Sequence, residues 1–252
     1  MTSKAKRRPS GHARGVFFIV GPTAIGKSEL AADVAHELGA EIVNADAFQI
    51  YNGLDILTAK PGPATLAKAP HHLIGTVSIL EEMNAEKFRR AAARDMAEIH
   101  RREKMVVVVG GSGLYIKALT HGLHRDWKKV DVDPAGVFVL RERNELYEQI
   151  NRRVLTMFER GVIEEVRAAA ALSATASKMI GLREIRQLLE GKMSILQCIA
   201  VIQQVTRRYA KRQLTWFRHQ TNFPPLNLSV LTHREAVQWI SERAGRSLAR
   251  TG

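Results

Sequence analysis

Blocks of hydrophobic and polar residues alternate along the first half of the chain and predict strands followed by helices. The run Val16 to Val20 is continuously apolar and predicts a fully buried strand. Strands that alternate with helices indicate parallel βαβ units, and hence a doubly wound sheet covered by helices on both faces. The other elements predicted in this half are a helix over Lys27 to Leu38, a strand over Glu41 to Asp46, a helix over Phe88 to Arg102, a strand over Met105 to Val109, a helix ending near Thr120 and a strand over Gly136 to Leu140.

The second half of the chain has mainly helical periodicity. Ser194 and Gln197 form a capping-box pattern ahead of a long helix that we expect to reach Trp216. The segment 222–225 contains two prolines and ends that pattern, and a last amphipathic helix is predicted after Thr232. The apolar positions that recur at helical spacing after the last predicted strand are Leu146, Ile150, Val154 and Met157.

The segment between the first strand and the first helix matches the phosphate-binding pattern G-x-x-x-x-G-K-[ST]. Glycine lets backbone N–H groups turn inward around a phosphate, and the following helix adds the positive end of its dipole. The lysine of the pattern supplies a charge to the terminal phosphates, and the last hydroxyl supplies a ligand for Mg²⁺. The residues of this P-loop are Gly21, Pro22, Thr23, Ala24, Ile25, Gly26, Lys27 and Ser28, with Ser28 as the expected Mg²⁺ ligand.

These elements predict an α/β fold with a P-loop NTPase-like doubly wound parallel sheet and a mainly helical C-terminal half. We expect one domain over 15–252, divided into an α/β core over 15–142 and a mainly helical part over 143–252 packed on it. Residues 1–14 are polar and basic and predict a flexible tail.

The ends of two predicted strands bear on what the P-loop holds, because one lacks a carboxylate and the other has one. P-loop NTPases organise Mg²⁺ with a carboxylate after another strand, but the strand Met105 to Val109 ends in Gly110–Gly111. The loop is therefore a candidate cradle for a diphosphate leaving group. Asp46 follows the second strand, and ligands of doubly wound sheets bind at the carboxyl ends of strands. Asp46 is thus expected to face the same crevice, where it would bind Mg²⁺, accept a proton, or act only as a helix cap or buried hydrogen-bonding group.

Charge and composition limit the kinds of partner and the cellular compartment that we expect. The 252 residues contain 38 Lys and Arg against 25 Asp and Glu, which gives a net charge of +13 and favours a polyanionic partner, although solubility alone would also explain it. The single cysteine, Cys198, fits a reducing compartment. No stretch is long and apolar enough to span a bilayer and the start does not resemble a secretory signal, so we expect a cytoplasmic protein.

Further motifs occur in a fixed order from about residue 15 to 218, and together they resemble the tRNA dimethylallyltransferase family. The motifs that carry the resemblance are the P-loop, Asn44 to Tyr51, Leu54 to Ile56, Thr58 to Pro61, Pro70 to Leu73, Gly110 to Leu119, Gly181 to Ile185 and Thr206 to Arg218. Members of this family transfer a dimethylallyl group from dimethylallyl diphosphate to N6 of an adenosine next to the anticodon, at position 37 of tRNA.

The resemblance implies specific roles for residues near the P-loop. Asp46 matches the base that removes the proton of the exocyclic amine, and Thr23 matches a threonine between the diphosphate and that base. Arg143 aligns with an arginine that helps to hold the diphosphate. Arg153 is a weaker candidate, because an arginine on an exposed helix face is more often only solvated. The resemblance also implies Mg²⁺ as a cofactor, and we expect a monomer.

The resemblance also implies an RNA interface. A target adenine must be turned out of its stack to reach a pocket. Lys211, Arg212 and Arg218 are candidate phosphate contacts, with a solvated basic helix face as the alternative. The segment that resembles the part contacting the target base consists of Asp46, Ala47, Phe48 and Gln49.

One departure from the family raises a second candidate function. The family normally carries a helical insertion that grips the anticodon stem, whereas this chain has only a short connector over 124–134. Its loss favours an isopentenyltransferase acting on free adenine nucleotide, while the C-terminal basic motif favours tRNA, and the basic tail is expected to compensate in part. Two further candidate functions are a small-molecule kinase that uses ATP and an RNA-binding protein without catalytic activity.

Overall fold

A computed structural model of the protein describes residues 15–121, 134–169 and 171–248. The predicted tail over 1–14 and most of the connector over 124–134 lie outside these residues. The strands are β1 (Val16–Val20), β2 (Glu41–Asn44), β3 (Tyr51–Asn52), β4 (His71–His72), β5 (Val77–Ser78), β6 (Val106–Gly110), β7 (Ala135–Leu140) and β8 (Pro225–Asn227). The helices are α1 (Lys27–Leu38), α2 (Pro63–Leu66), α3 (Ala85–Arg101), α4 (Gly113–Thr120), α5 (Arg143–Glu159), α6 (Val162–Ala168), α7 (Leu182–Leu189), α8 (Ile195–Gln220) and α9 (His233–Leu248).

A parallel sheet with the strand order β4-β2-β6-β1-β7-β8 forms the centre of the fold. Strand β1 lies between β6 and β7, so the loop that follows it opens at the middle of the sheet edge. A separate pair, β3 and β5, is also parallel. The doubly wound parallel sheet predicted from the sequence is therefore confirmed, and its carboxyl edge is where ligands are expected to bind.

The central strands are apolar throughout because helices cover both faces of the sheet. Phe17 and Ile19 point to one face and pack with the inward residues of α1 and α9. Phe18 and Val20 point to the other face and pack with residues of α3, α4 and α8. Helix α5 contributes Leu146 and Ile150 to the first core and its later turns to the second, so it crosses from one side of the sheet to the other.

The helical second half agrees with its sequence pattern and adds one strand. Ser194 caps α8, and the reciprocal bonds between Ser194 and Gln197 confirm the predicted capping box. The segment 222–225 does end α8, but Pro225 then begins the edge strand β8, which pairs with β7. Proline is tolerated there because it is the first residue of an edge strand. No helix among the described residues combines the length and apolarity that crossing a membrane requires.

Candidate active site

The P-loop follows β1 and is shaped by close backbone packing. A Cβ atom on Gly21 would lie 2.4 Å from the carbonyl oxygen of Val139 on β7, so only glycine fits there. Gly26 caps α1 with a φ of 86°, a left-handed conformation that glycine adopts without strain. The loop thereby directs the free N–H groups of the first turn of α1 toward the sheet edge, which favours an anion.

Lys27 lies over the loop, and its pKa is lowered there. Its Nζ donates a hydrogen bond of 2.5 Å to the carbonyl oxygen of Pro22. Removal from water lowers the pKa of Lys27 to about 8, the nearby charge of Asp46 opposes this shift, and the positive charge of Arg153 adds to it. Ser28 is half-buried in the same first turn of α1. The loop therefore places a lysine of lowered pKa next to a hydroxyl in the first turn of α1.

Asp46 is held in the turn that follows β2. One carboxylate oxygen, Oδ1, accepts hydrogen bonds from the backbone N–H groups of Phe48 at 2.9 Å and Gln49 at 3.3 Å. The backbone N–H of Ala47 donates to Ser112 Oγ at 2.8 Å, which ties this turn to the start of α4. Because the turn uses only Oδ1 in these bonds, the carboxylate is oriented while its second oxygen remains available for another proton donor.

Arg153 reaches the P-loop from α5. Its Nη1 donates to Thr23 Oγ1 at 3.0 Å, and its Nη2 donates to the carbonyl oxygen of Thr58 at 3.4 Å. Burial lowers the pKa of Arg153, and the charge of Asp46 opposes that shift. The expectation that Arg153 lies on an exposed helix face was wrong, because this face of α5 packs over the pocket.

Arg143 has a different environment from Arg153. It begins α5, is exposed, and places its guanidinium 5.3 Å from the ring centroid of Tyr147. At the rise of an α-helix, ten residues separate the two arginines by about 15 Å along α5. Arg141, two residues earlier, is the one whose Nε approaches the P-loop, at 3.4 Å from the carbonyl oxygen of Ile25. The geometry therefore ranks Arg153 above Arg143 as the arginine of the pocket.

One pocket brings Thr23, Asp46 and Arg153 together. Its polar groups lie beside an apolar wall, and burial raises the pKa of Tyr209 on that wall. Sequence reasoning missed Thr58 and Tyr209, whose side chains reach the pocket only through the packing of the 54–59 loop and α8. The apolar lining consists of Phe48, Leu57, Ile150, Val154, Met157, Met179, Ile180 and Ile202.

The predicted RNA-contacting residues divide into two groups. Lys211 and Arg212 are exposed on α8 and line an open groove beside the half-buried Trp216, whereas Arg218 is exposed outside that groove. We call this surface the α8 groove. Its other lining residues are Arg208, Thr215, His219 and Gln220.

Gln49 differs from the expectation that it contacts RNA. Its side chain is buried, and its Nε2 donates to the carbonyl oxygens of Thr58 at 3.2 Å and Ala59 at 3.0 Å. Asp46 and Phe48 do line the pocket, as expected of a segment that faces a target base. Gln49 instead braces the 54–59 loop, because that loop folds over it.

Comparison with known proteins identifies relatives of this chain. The IPP transferase family model matches residues 49–135 and 126–220. The chain is 37% identical to tRNA dimethylallyltransferase 1 of Citrifermentans bemidjiense over 86% of this chain and 95% of that protein. It is 37% identical to the tRNA dimethylallyltransferase of Oenococcus oeni over 84% of this chain and 87% of that protein.

Solved structures resemble the fold closely. The full-length tRNA isopentenylpyrophosphate transferase of Bacillus halodurans superimposes with a TM-score of 0.85 at 26% identity, over 94% of this chain and 97% of that chain. The Staphylococcus epidermidis tRNA delta(2)-isopentenylpyrophosphate transferase gives a TM-score of 0.84 over 92% and 99% at 24% identity, which shows the fold alone.

The alignments also bear on the missing insertion. The alignment with the C. bemidjiense relative runs over 291 residues, more than the 252 residues of this chain, so that relative has residues that this chain lacks. The two matched segments of the family model meet at 126–135, within and just beyond the connector. The O. oeni alignment runs over only 225 residues. A large additional segment is therefore not common to all of these relatives.

Proposed function

Because the chain belongs to the tRNA dimethylallyltransferase family, we propose that its pocket transfers a dimethylallyl group from dimethylallyl diphosphate to N6 of the adenosine at position 37 of tRNA. Prenylation of tRNA by this protein follows from the family relationship. One observation carries the choice of donor and acceptor: the carboxylate of Asp46 and the guanidinium of Arg153 flank an apolar pocket at the mouth of a P-loop. A five-carbon chain, a diphosphate and an amine each find matching groups there.

The P-loop side of the pocket suits the leaving group. As the allylic C–O bond breaks, negative charge grows on the diphosphate, and donors fixed in advance lower the energy of that transition state. In our proposal Lys27 and the backbone N–H groups of Gly26 to Ser28 hold the diphosphate. Thr23 of the loop and Arg153 would face the reacting carbon, and their 3.0 Å contact fixes both groups before the reaction.

The Asp46 side suits the acceptor. The exocyclic amine of adenine is a weak nucleophile and must lose a proton as the new C–N bond forms. Asp46 accepts that proton in our proposal, while Phe48 and the pocket wall shield the reacting carbon from water. Shielding matters because water would otherwise attack the reacting carbon in place of the amine and give an alcohol.

Mg²⁺ fits the site only together with the diphosphate. Among the described residues no cluster of three or more His, Cys, Asp or Glu side chains could hold a metal ion. The Ser28 hydroxyl in the first turn of α1 is the protein ligand that the P-loop would offer, and phosphate oxygens and water would supply the remaining ligands. When bound, Mg²⁺ would neutralise charge on the departing diphosphate.

Kinase activity and transfer to free adenine nucleotide fit the molecule less well. A kinase of the usual P-loop type needs a carboxylate at the end of β6, but a Cβ on Gly110, the last residue of that strand, would lie 2.3 Å from the carbonyl oxygen of Ala45, so that position admits no side chain. An enzyme for free adenine nucleotide would have no use for the exposed basic α8 groove. The relatives compared above are named for tRNA.

A labelling experiment tests the proposal. The protein is incubated with Mg²⁺ and labelled dimethylallyl diphosphate, and is offered either tRNA or AMP. We expect label in tRNA, at the adenosine next to the anticodon, and none in AMP. Label in AMP alone would support transfer to free nucleotide, and label in neither would contradict prenyl transfer.

A further inference from the structure

Gln213 is a buried amide on the inner face of α8. Its Oε1 accepts a hydrogen bond from the backbone N–H of Thr23 at 2.9 Å. Its Nε2 donates to the carbonyl oxygen of Gly111 at 2.8 Å. One side chain thus joins three parts of the fold: the long helix, the P-loop, and the turn that follows β6.

The surroundings of Gln213 are built to keep this amide in place. A Cβ on Gly111 would lie 2.4 Å from Gln213 Nε2, so glycine at that position leaves room for the amide. The direct backbone bond between the start of the P-loop and the end of β6, from Gly21 N–H to the carbonyl oxygen of Gly110, is long at 3.4 Å. Gln213 therefore supplies the shorter and better-formed connection between the P-loop and the β6 turn.

The hydrogen bond from the Thr23 N–H to Gln213 also fixes the orientation of Thr23 in the pocket. The backbone N–H of Thr23 is used by Gln213, so it points to α8 and away from a phosphate in the loop. The hydroxyl of the same residue then faces Arg153, at 3.0 Å. Without Gln213, the Thr23 peptide would be free to rotate, and the hydroxyl would lose its alignment with Arg153.

We propose that Gln213 is a positioning residue that sets the Thr23 peptide of the P-loop and thereby couples α8, whose outer face forms the α8 groove, to the diphosphate site. This inference rests on the proposed function of that site. Lys211 and Arg212 on the outer face and Gln213 on the inner face belong to the same turn of α8.

Gln213→Met tests this role, because methionine fills a similar volume but forms neither hydrogen bond. We expect Kd for inorganic diphosphate to rise about tenfold and kcat to fall by about tenfold or more, as the loss of a buried amide's partner predicts. KM for tRNA should stay within about twofold, since the groove side chains are untouched. If Gln213 had only a structural role, the substitution would lower the melting temperature but would not change diphosphate Kd and kcat while leaving KM for tRNA unchanged.

Gln203→Met is the matched control. Gln203 is a half-buried glutamine on the same helix, and its Nε2 donates to the backbone of α5, at 3.4 Å from the carbonyl oxygen of Asn151. We expect every constant of this variant to stay within about twofold of wild type. A Gln213→Met protein that binds diphosphate and turns over like the Gln203→Met control would overturn the inference.

Gly111→Ala provides a second variant if Gln213→Met fails to fold. The added methyl displaces the Gln213 amide without deleting it, so the diphosphate Kd should rise as in Gln213→Met, and the double variant should be no worse than either single one. Normal diphosphate binding by Gly111→Ala would overturn the inference. A wild type that binds diphosphate but labels no tRNA would instead contradict the proposed function, and the binding measurements would still decide the role of Gln213.

Discussion

The guanidinium of Arg153 lies 3.0 Å from the hydroxyl of Thr23, and this hydrogen bond joins α5 to the P-loop at the mouth of the pocket. The two residues are 130 positions apart in the chain. Their contact places a fixed positive charge beside the loop that is proposed to hold the diphosphate, at the side where Asp46 also lines the pocket. In the proposed reaction negative charge grows on the diphosphate while the amine loses a proton. The resting protein already holds a positive group, Arg153, and a negative group, Asp46, in the same pocket.

Arg153→Gln is predicted to lower kcat/KM for prenyl transfer by about 10²- to 10³-fold, the usual cost of removing one donor that stabilises developing charge. Arg143→Gln should cost much less, because Arg143 is exposed over Tyr147. Arg152→Gln, an exposed neighbour on α5, serves as the control and should resemble wild type. Steady-state kinetics of the three variants decides between the arginines: a larger loss for Arg143→Gln would restore the assignment drawn from family resemblance.

Glu165 is predicted to hold the loop that forms one wall of the pocket. Its carboxylate accepts hydrogen bonds from the backbone N–H groups of Ile56 and Leu57, each at 2.8 Å. Glu165→Gln loses one of these acceptors, so we expect the free energy of unfolding to fall by about 1–3 kcal/mol and KM for dimethylallyl diphosphate to rise. Urea denaturation and kinetics measure both. Glu164→Gln changes an exposed neighbour that pairs with Arg167 and should leave both unchanged; equal effects would argue against the loop contact.

Lys27 is predicted to make diphosphate binding sensitive to mild alkali. Its pKa is lowered to about 8, so the side chain is charged at neutral pH and loses its proton as pH rises through that value. Calorimetry between about pH 7 and about pH 9 should show diphosphate affinity falling more steeply for wild type than for Lys27→Met, in which only the ligand titrates. Parallel curves for the two proteins would contradict the lowered pKa.

The lowered pKa of Lys27 affects the stability of the free protein in the opposite direction: stability rises with pH, whereas diphosphate affinity falls. An unfolded lysine keeps its proton up to the ordinary pKa of 10.5, so between about 8 and 10.5 the unfolded chain binds more protons than the folded one. The contribution of Lys27 to the free energy of unfolding therefore rises with pH across this window. Denaturation of wild type minus that of Lys27→Met should show this rise, and a flat difference would count against it.

Lys211 is predicted to contact RNA phosphate through the α8 groove. Lys211→Gln should weaken tRNA binding, and the slope of log affinity against log salt should become shallower by about one. Lys87→Gln is the control, because Lys87 is exposed on α3 and pairs with Glu81. Filter binding at several salt concentrations measures both slopes. If the two variants show the same slope as wild type, the groove is only a solvated basic surface.

The fold was predictable where the chain carries long uniform patterns. The buried strands β1 and β6 and the capped helix α8 were each indicated by the sequence and are confirmed. The edge strands β4 and β8 were not predicted, because two or three residues are too few for a hydrophobic pattern. Pro225 even argued against a strand, and only its position at the start of an edge makes it compatible.

The site was predictable where function resides in contiguous residues. The P-loop and Asp46 could be placed at the same edge of the sheet because a motif and the end of a strand locate them without knowledge of packing. Arg153 was ranked too low and Gln213 was missed, since each acquires its role from a residue 130 or 190 positions away. Gln49 shows the reverse case: its motif indicates RNA contact, whereas its side chain is buried and donates hydrogen bonds to the 54–59 loop.

Asp46→Asn under single-turnover conditions tests the central claim most directly. Asparagine keeps an oxygen to accept the N–H groups of Phe48 and Gln49, so the turn should survive while the base is lost. Glu148→Gln, which changes an exposed carboxylate on α5, is the control. We predict that Asp46→Asn binds dimethylallyl diphosphate within about twofold of wild type but prenylates tRNA about 10²- to 10⁴-fold more slowly. Prenylation at the wild-type rate would contradict the assignment of Asp46 as the base.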